Sequence, residues 1–104
     1  MSHNSAFKIQ HRELEEEENL GTRNMIQKKS YQFALEIIKL VQQFPRTTVG
    51  FVIGNQLLKA GTSVGANVEE AIGGFSRNDF TYKMSIAQKE ARESHYWLRL
   101  TRDS

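Results

Sequence analysis

Three successive stretches of this chain carry apolar or small residues at a 4-3-4-3-4 spacing, and that repetition constrains the fold more than any other feature. The first seam is Ile26, Ser30, Phe33, Ile37, Leu40 and Phe44, widened by Ala34, Ile38 and Val41. The second is Ile53, Leu57, Ala60, Val64, Asn67 and Ala71, and the third is Phe80, Met84, Ala87, Ala91, Ser94 and Leu98. Steps alternating between four and three residues track the helical turn, so each seam is one face of an amphipathic helix. Pro45 ends the first helix, because the residue before a proline disfavours helical dihedrals. Thr47 or Thr48 can cap the second, and the Gly73-Gly74 pair ends it. Ser76, with Asp79 three residues on, is a start signal for the third. The expected helices cover about 24–44, 48–73 and 77–101, and no segment alternates as a strand would. Long helices joined by short connections predict an all-α protein, an antiparallel up-down bundle.

The second helix has an unusual edge. One position round from its seam lie Gly54, Leu58, Gly61, Gly65, Val68 and Ile72, so much of that edge is bare backbone. Each interior glycine costs roughly 1 kcal/mol against alanine, and close helix crossings are the expected compensation. Between Gly54 and Ile72 the only charges are Lys59, Glu69 and Glu70. This helix is therefore expected to be the most buried, with Gly61 and Gly65 at the crossings. Asn67, on the seam, is expected to hydrogen-bond to a neighbouring helix, with Glu70 near the same network.

At 104 residues the chain has room for one domain. It has no cysteine, which removes disulfide scaffolds, thiolate metal sites and cysteine nucleophiles. No apolar run approaches the roughly 18 residues of a membrane span, and no apolar leader follows Met1. A soluble cytoplasmic protein is expected. Its charge is uneven. Residues 1–22 carry Lys8 and Arg12 against Glu13, Glu15, Glu16, Glu17 and Glu18, a net −3, while residues 23–104 carry +5. The acidic arm has poor periodicity; it is either a solvated tail or frayed helix, or an arm that masks the basic body. The organisation is thus an arm at 1–22, with no order required of it, and a helical domain at 23–104.

No catalytic constellation stands out. Gly61 to Gly65 is glycine-rich but lacks the Gly-Lys-Ser/Thr ending of a phosphate loop and sits within a helix. His3 and His11 are too far apart for an i, i+4 metal pair, and His95 has neither a base partner nor a second ligand nearby. A carboxylate-bridged metal bundle would need Glu-x-x-His on facing helices, whereas Glu90 is followed by Glu93 and no histidine follows Glu70. No metal, no cofactor and no enzymatic activity are expected. Gln56, Asn67, Glu70 and Glu90 are expected instead to form a structural polar network that fixes helix register.

The outer side of the third helix carries more information. At 100° per residue, Tyr82, Lys89, Arg92, Tyr96 and Arg99 fall within about a third of a turn of one another, roughly opposite the Phe80–Leu98 seam. A basic row interleaved with aromatics suits phosphate contact with base stacking. It equally suits a protein–protein interface, where Tyr, Trp and Arg are enriched. Trp97, Tyr96 and Tyr82 lie off the seam, and this surplus apolar surface suggests partner helices.

From Tyr31 to Leu100 the order of residues resembles a family of small bacterial four-helix-bundle proteins first noted in intervening sequences of 23S ribosomal RNA genes. The likeness runs through Phe44-Pro45, Gln56, Ser63, Gly65, Ala66, Asn67, Glu69, Glu70 and Ala71. It continues through Ser76, Asp79, Phe80, Lys83, Ala87, Glu90, Glu93, His95, Tyr96, Trp97 and Leu98. The resemblance implies an up-down four-helix bundle, a homopentameric ring and no recognised enzymatic activity. The family is also similar to accessory proteins of diversity-generating retroelements, which are basic and associated with nucleic acid and reverse transcriptase. Set against that pattern, only three long helices are evident here; the fourth is missing or is supplied by the arm, where Phe7, Ile9 and Leu14 are available.

The sequence-based expectation is therefore a non-enzymatic, oligomeric helical bundle that binds structured RNA. Lys89, Arg92 and Arg99 would contact phosphate, and Tyr82 and Tyr96 would stack. The partners would be other copies of the chain, RNA or a nucleic-acid-processing protein, with no membrane involved. A pure assembly module, using the same face as an interface, is the alternative.

Overall fold

A computed structural model describes the backbone from Ser2 to Ser104 and the side chains from Gln10 onward. His3, Phe7 and Ile9 therefore lie outside the described side chains. The chain forms three helices: α1 (Ser2–Gln42), α2 (Thr48–Gly73) and α3 (Arg77–Asp103). There is no strand among the described residues.

The helix ends follow the expected local chemistry. The Thr47 hydroxyl accepts a hydrogen bond from the Gly50 amide at 3.1 Å, and the Ser76 hydroxyl accepts one from the Asp79 amide at 3.0 Å. Each satisfies a donor that a helix start leaves without an internal partner. Pro45 lies in the short connection between α1 and α2, and Gly74 closes α2 by donating to Ala71 O at 3.3 Å.

The start of α1 departs from the sequence expectation. The acidic arm is not separate from the first helix but continues it back to Ser2, giving 41 residues. No proline interrupts the stretch, glutamate is a good helix former, and the one glycine, Gly21, costs only about 1 kcal/mol. The His11 and Glu15 side chains add a contact across one turn at 3.1 Å. The arm does not fold back as a fourth helix. It prolongs α1 beyond the other two helices, in a molecule 71 Å long and about 20 Å across. All side chains from Gln10 to Met25 are exposed.

α2 packs against both α1 and α3, whereas α1 and α3 have no close backbone contact among the described residues. The α1–α2 pair is antiparallel, since Gly54 faces Val41, Gly61 faces Ile37 and Gly65 faces Ser30. α2 is the most buried helix, as its composition predicts. Its inward residues are Gly54, Leu57, Ala60, Gly61, Gly65, Val68 and Ala71, against only Ala87 and Ser94 on α3. The glycines lie at the crossings. A Cβ at Gly61 would come within 2.9 Å of two Ile37 carbons, and one at Gly65 within 3.2 Å of the Ser30 carbonyl oxygen. The seam serines are satisfied within their own helices: Ser30 donates to Gln27 O at 3.0 Å and Ser94 to Glu90 O at 2.8 Å.

Candidate nucleic-acid interface and the open groove

On α3, Tyr82, Lys89, Arg92, Tyr96 and Arg99 are all exposed, as expected from their spacing. Seventeen residues separate the two ends of this row, about 25 Å of helix. The Arg99 guanidinium lies 5.9 Å from the centre of the Tyr96 ring. Tyr96 in turn meets Trp97 edge-on, with ring centres 5.1 Å apart. The Trp97 indole N–H points at a Glu93 carboxylate oxygen 3.5 Å away. The far end of α3 keeps its acid neutralised, since Arg102 holds Asp103 by two hydrogen bonds of 2.7 and 3.1 Å. That pairing lowers the Asp103 pKa and raises that of Arg102. Lys89, Arg92 and Arg99 form no salt bridge among the described residues, and of the three Arg99 lies against the Tyr96 ring.

The four residues expected to share a polar network do not form one. Asn67, half-buried, donates to the Ser63 carbonyl of its own helix at 2.8 Å, so the interhelical bond expected of it is not made. A side-chain amide one turn from a helix carbonyl can use that oxygen's second lone pair without waiting for tertiary contact. Glu70 instead pairs with Lys83 across α2 and α3 at 2.6 Å. This hydrogen bond and the carboxylate charge raise the Lys83 pKa above its ordinary 10.5. Gln56 is exposed and stands eleven residues from Asn67, about 16 Å along the helix. Glu90 is half-buried and lends its backbone carbonyl, not its carboxylate, to Ser94. No group of three or more metal-binding side chains occurs among the described residues.

One feature was not read from the sequence, because the surplus apolar residues noted there, Tyr82, Tyr96 and Trp97, do not line it. Because α1 and α3 flank α2 without close backbone contact, an open groove of about 500 Å³ runs between them. Ile26 and Phe33 form one wall, Met84 and Leu98 the other, and Val64 and Val68 the floor. Lys29, Gln88 and His95 line its edges. Arg92 and Arg99 stand about 40–60° further round α3 than His95, so the cationic row borders the groove. One end of the groove is bridged by Arg23, whose guanidinium lies 4.8 Å from the centre of the Phe80 ring.

An all-helical fold with an open flank and a basic, aromatic outer helix defines a small helical-bundle protein. Residues 22–104 match the family model of the 23S rRNA-intervening sequence protein, and the chain belongs to that family. It is similar to a solved structure from Bacteroides thetaiotaomicron VPI-5482, described as a protein with unknown function from the S23 ribosomal protein family. The two are 44% identical, with a TM-score of 0.70, over 75% of this chain and 70% of that one. No curated protein matches the chain. Neither description names a catalytic activity. Among the described residues, no helix is long and apolar enough to cross a membrane.

Proposed function

We propose that this protein is a non-enzymatic RNA-binding module that grips structured RNA with the outer face of α3. The observation that carries the reading is the exposed row of Lys89, Arg92 and Arg99 interleaved with Tyr82 and Tyr96. Phosphate oxygens would meet the three cations, and unstacked bases in loops or bulges would stack on the two tyrosines. A rigid helix supports this use, because it fixes the backbone register of the five side chains before binding, so that only their rotamers remain to be ordered. The family's link to 23S rRNA intervening sequences favours RNA as the polymer, and with it a cytoplasmic location.

Fluorescence anisotropy with a labelled stem–loop RNA across a salt series tests this. Binding should weaken as salt rises, since cationic contacts release counterions from the phosphates. Arg92→Ala and Lys89→Ala should each reduce the slope of log affinity against log salt by about one. Tyr96→Ala should weaken binding to a looped RNA more than to a plain duplex. Absence of binding at low salt, or an affinity indifferent to salt, would refute the proposal.

A further inference from the structure

We infer that Phe75, at the tip of the α2–α3 turn, stacks on an unpaired base, so that the RNA held by α3 is a hairpin with its stem along the helix and its loop at this turn. The inference rests on the RNA-binding reading and adds to it a third aromatic contact and a class of RNA. It starts from a ring that the fold does not use. Phe75 is 103% exposed, against 60% for Tyr82 and 48% for Tyr96. Among the described residues, nothing covers either of its faces.

The position of Phe75 makes that exposure unusual. Ser76 caps α3, so Phe75 is the residue before the cap and Phe80 is the fourth of the helix. Apolar residues at those two positions often pack together as a staple that fixes how the chain enters the helix. Here the staple is not made. Phe80 is half-buried and its ring is met by the Arg23 guanidinium at 4.8 Å, while Phe75 stays in solvent. Nor does anything crowd the ring from the chain before it. The two preceding residues are glycines, and a Cβ added at Gly73 would meet nothing within 4 Å.

The surroundings select the occupant. Residues 73–79 hold one cation, Arg77, and one carboxylate, Asp79, and the Glu70 carboxylate nearby is held by Lys83 at 2.6 Å. The turn thus offers an aromatic face with almost no net charge around it. Its other residues from Gly73 to Asn78 are small or polar, so the ring stands alone and not in an apolar patch. A membrane or a protein partner is met by such a patch. A base needs only one ring, because every base has a flat π-face of its own. Register agrees. Tyr82 lies about 8 Å from the start of α3, and Lys89, Arg92 and Arg99 all lie beyond it. The phosphates of a stem would meet α3 past Tyr82, and the loop closing that stem would reach the uncharged end, where Phe75 stands. Loops are also where RNA bases are free to splay out onto aromatic side chains.

Fluorescence anisotropy with a labelled stem–loop RNA and with its blunt stem alone, each across a salt series, tests this. Phe75→Ala should weaken stem–loop binding about 5- to 150-fold, the worth of one stacked base. The factor should be the same at every salt, because the ring releases no counterion. Binding of the blunt stem should not change. Phe75→Trp should bind the stem–loop as the unaltered chain does, and Phe75→Leu as weakly as Phe75→Ala, since a base meets a flat ring and not apolar bulk. Ultraviolet crosslinking should join a loop nucleotide to the peptide that holds Phe75. Equal stem–loop binding by Phe75→Ala and the unaltered chain would overturn the inference and leave the α3 reading standing. So would full binding by Phe75→Leu, or a loss that the blunt stem shares. If the unaltered chain binds neither RNA at low salt, both readings fall.

Discussion

Replacing Gly61 with alanine adds one methyl group at the tightest point of the α1–α2 crossing, and its effect can be worked from the geometry. The new Cβ would lie 2.9 Å from both Cγ1 and Cγ2 of Ile37 and 3.2 Å from its Cβ. Carbon atoms rest at about 3.5–4.0 Å, so roughly 0.6–1.1 Å must be found by separating the helices. Ile37 cannot swing aside: it is β-branched, which fixes its χ1 in a helix, and it is only 3% exposed. Overpacking of this kind costs about 1–3 kcal/mol. Against it stands the helix preference of alanine over glycine, about 1 kcal/mol. The net expectation is a loss of about 0–2 kcal/mol, despite a substitution that stabilises most helices.

Gly65→Ala provides the comparison within the same helix. Its methyl would meet the Ser30 carbonyl oxygen at 3.2 Å, only slightly inside the usual range of about 3.3–3.6 Å for a C–H···O contact. Relief of the glycine cost should nearly cancel that strain, leaving Gly65→Ala more stable than Gly61→Ala by about 1 kcal/mol. Urea titration at one fixed protein concentration measures both, with an unchanged m-value showing that the same surface unfolds. In an Ile37→Ala background the two 2.9 Å contacts are gone and only the 3.2 Å contact with the residue-37 Cβ remains, so adding Gly61→Ala should cost less there than in the unaltered chain, a coupling of about 1–3 kcal/mol. If Gly61→Ala is more stable than the unaltered chain, close approach is not what offsets the cost of the glycines.

Two further results are expected. Thr47→Ala and Ser76→Ala each remove the side-chain acceptor that caps a helix and should cost about 1 kcal/mol apiece; a thermal melt showing no loss would mean that water replaces the cap fully. The Lys83–Glu70 pair predicts an alkaline effect. Because Lys83 is raised in the folded state, its contribution is fully present below the ordinary 10.5 and fades as pH climbs through the raised value. Glu70→Gln should return the Lys83 titration, followed by NMR, toward 10.5 and remove that part of the alkaline loss; an unmoved titration would show that the pair does not form in solution.

What could be read from the sequence was whatever depends on neighbours a few residues apart. The seams set three helices, Thr47 and Ser76 set two starts, and the sparse charge of α2 marked it as the central helix. The exposure of Tyr82, Lys89, Arg92, Tyr96 and Arg99 followed from helical period alone. Where the reading failed, a local alternative outbid a tertiary one, or the reverse. Asn67 took the Ser63 carbonyl one turn away, so a seam position did not become an interhelical bond. Glu15 to Glu18 left a solvated tail and a frayed helix both open, and since nothing in the stretch breaks a helix, α1 continues through it.

The sequence by itself determined the class of fold, the order and hand-over points of the helices and the chemistry of the α3 face, because helix periodicity and capping act over one or two turns. Only the tertiary structure decided that α1 and α3 stay apart on either side of α2. Glycines let α1 approach the central helix at Ile37 and Ser30, while α3 packs on another side of it through Ala87 and Ser94. The angle between those two contacts around α2 is a property of side-chain packing between helices, which no single helix encodes. That angle is what leaves the apolar groove open beside the basic row.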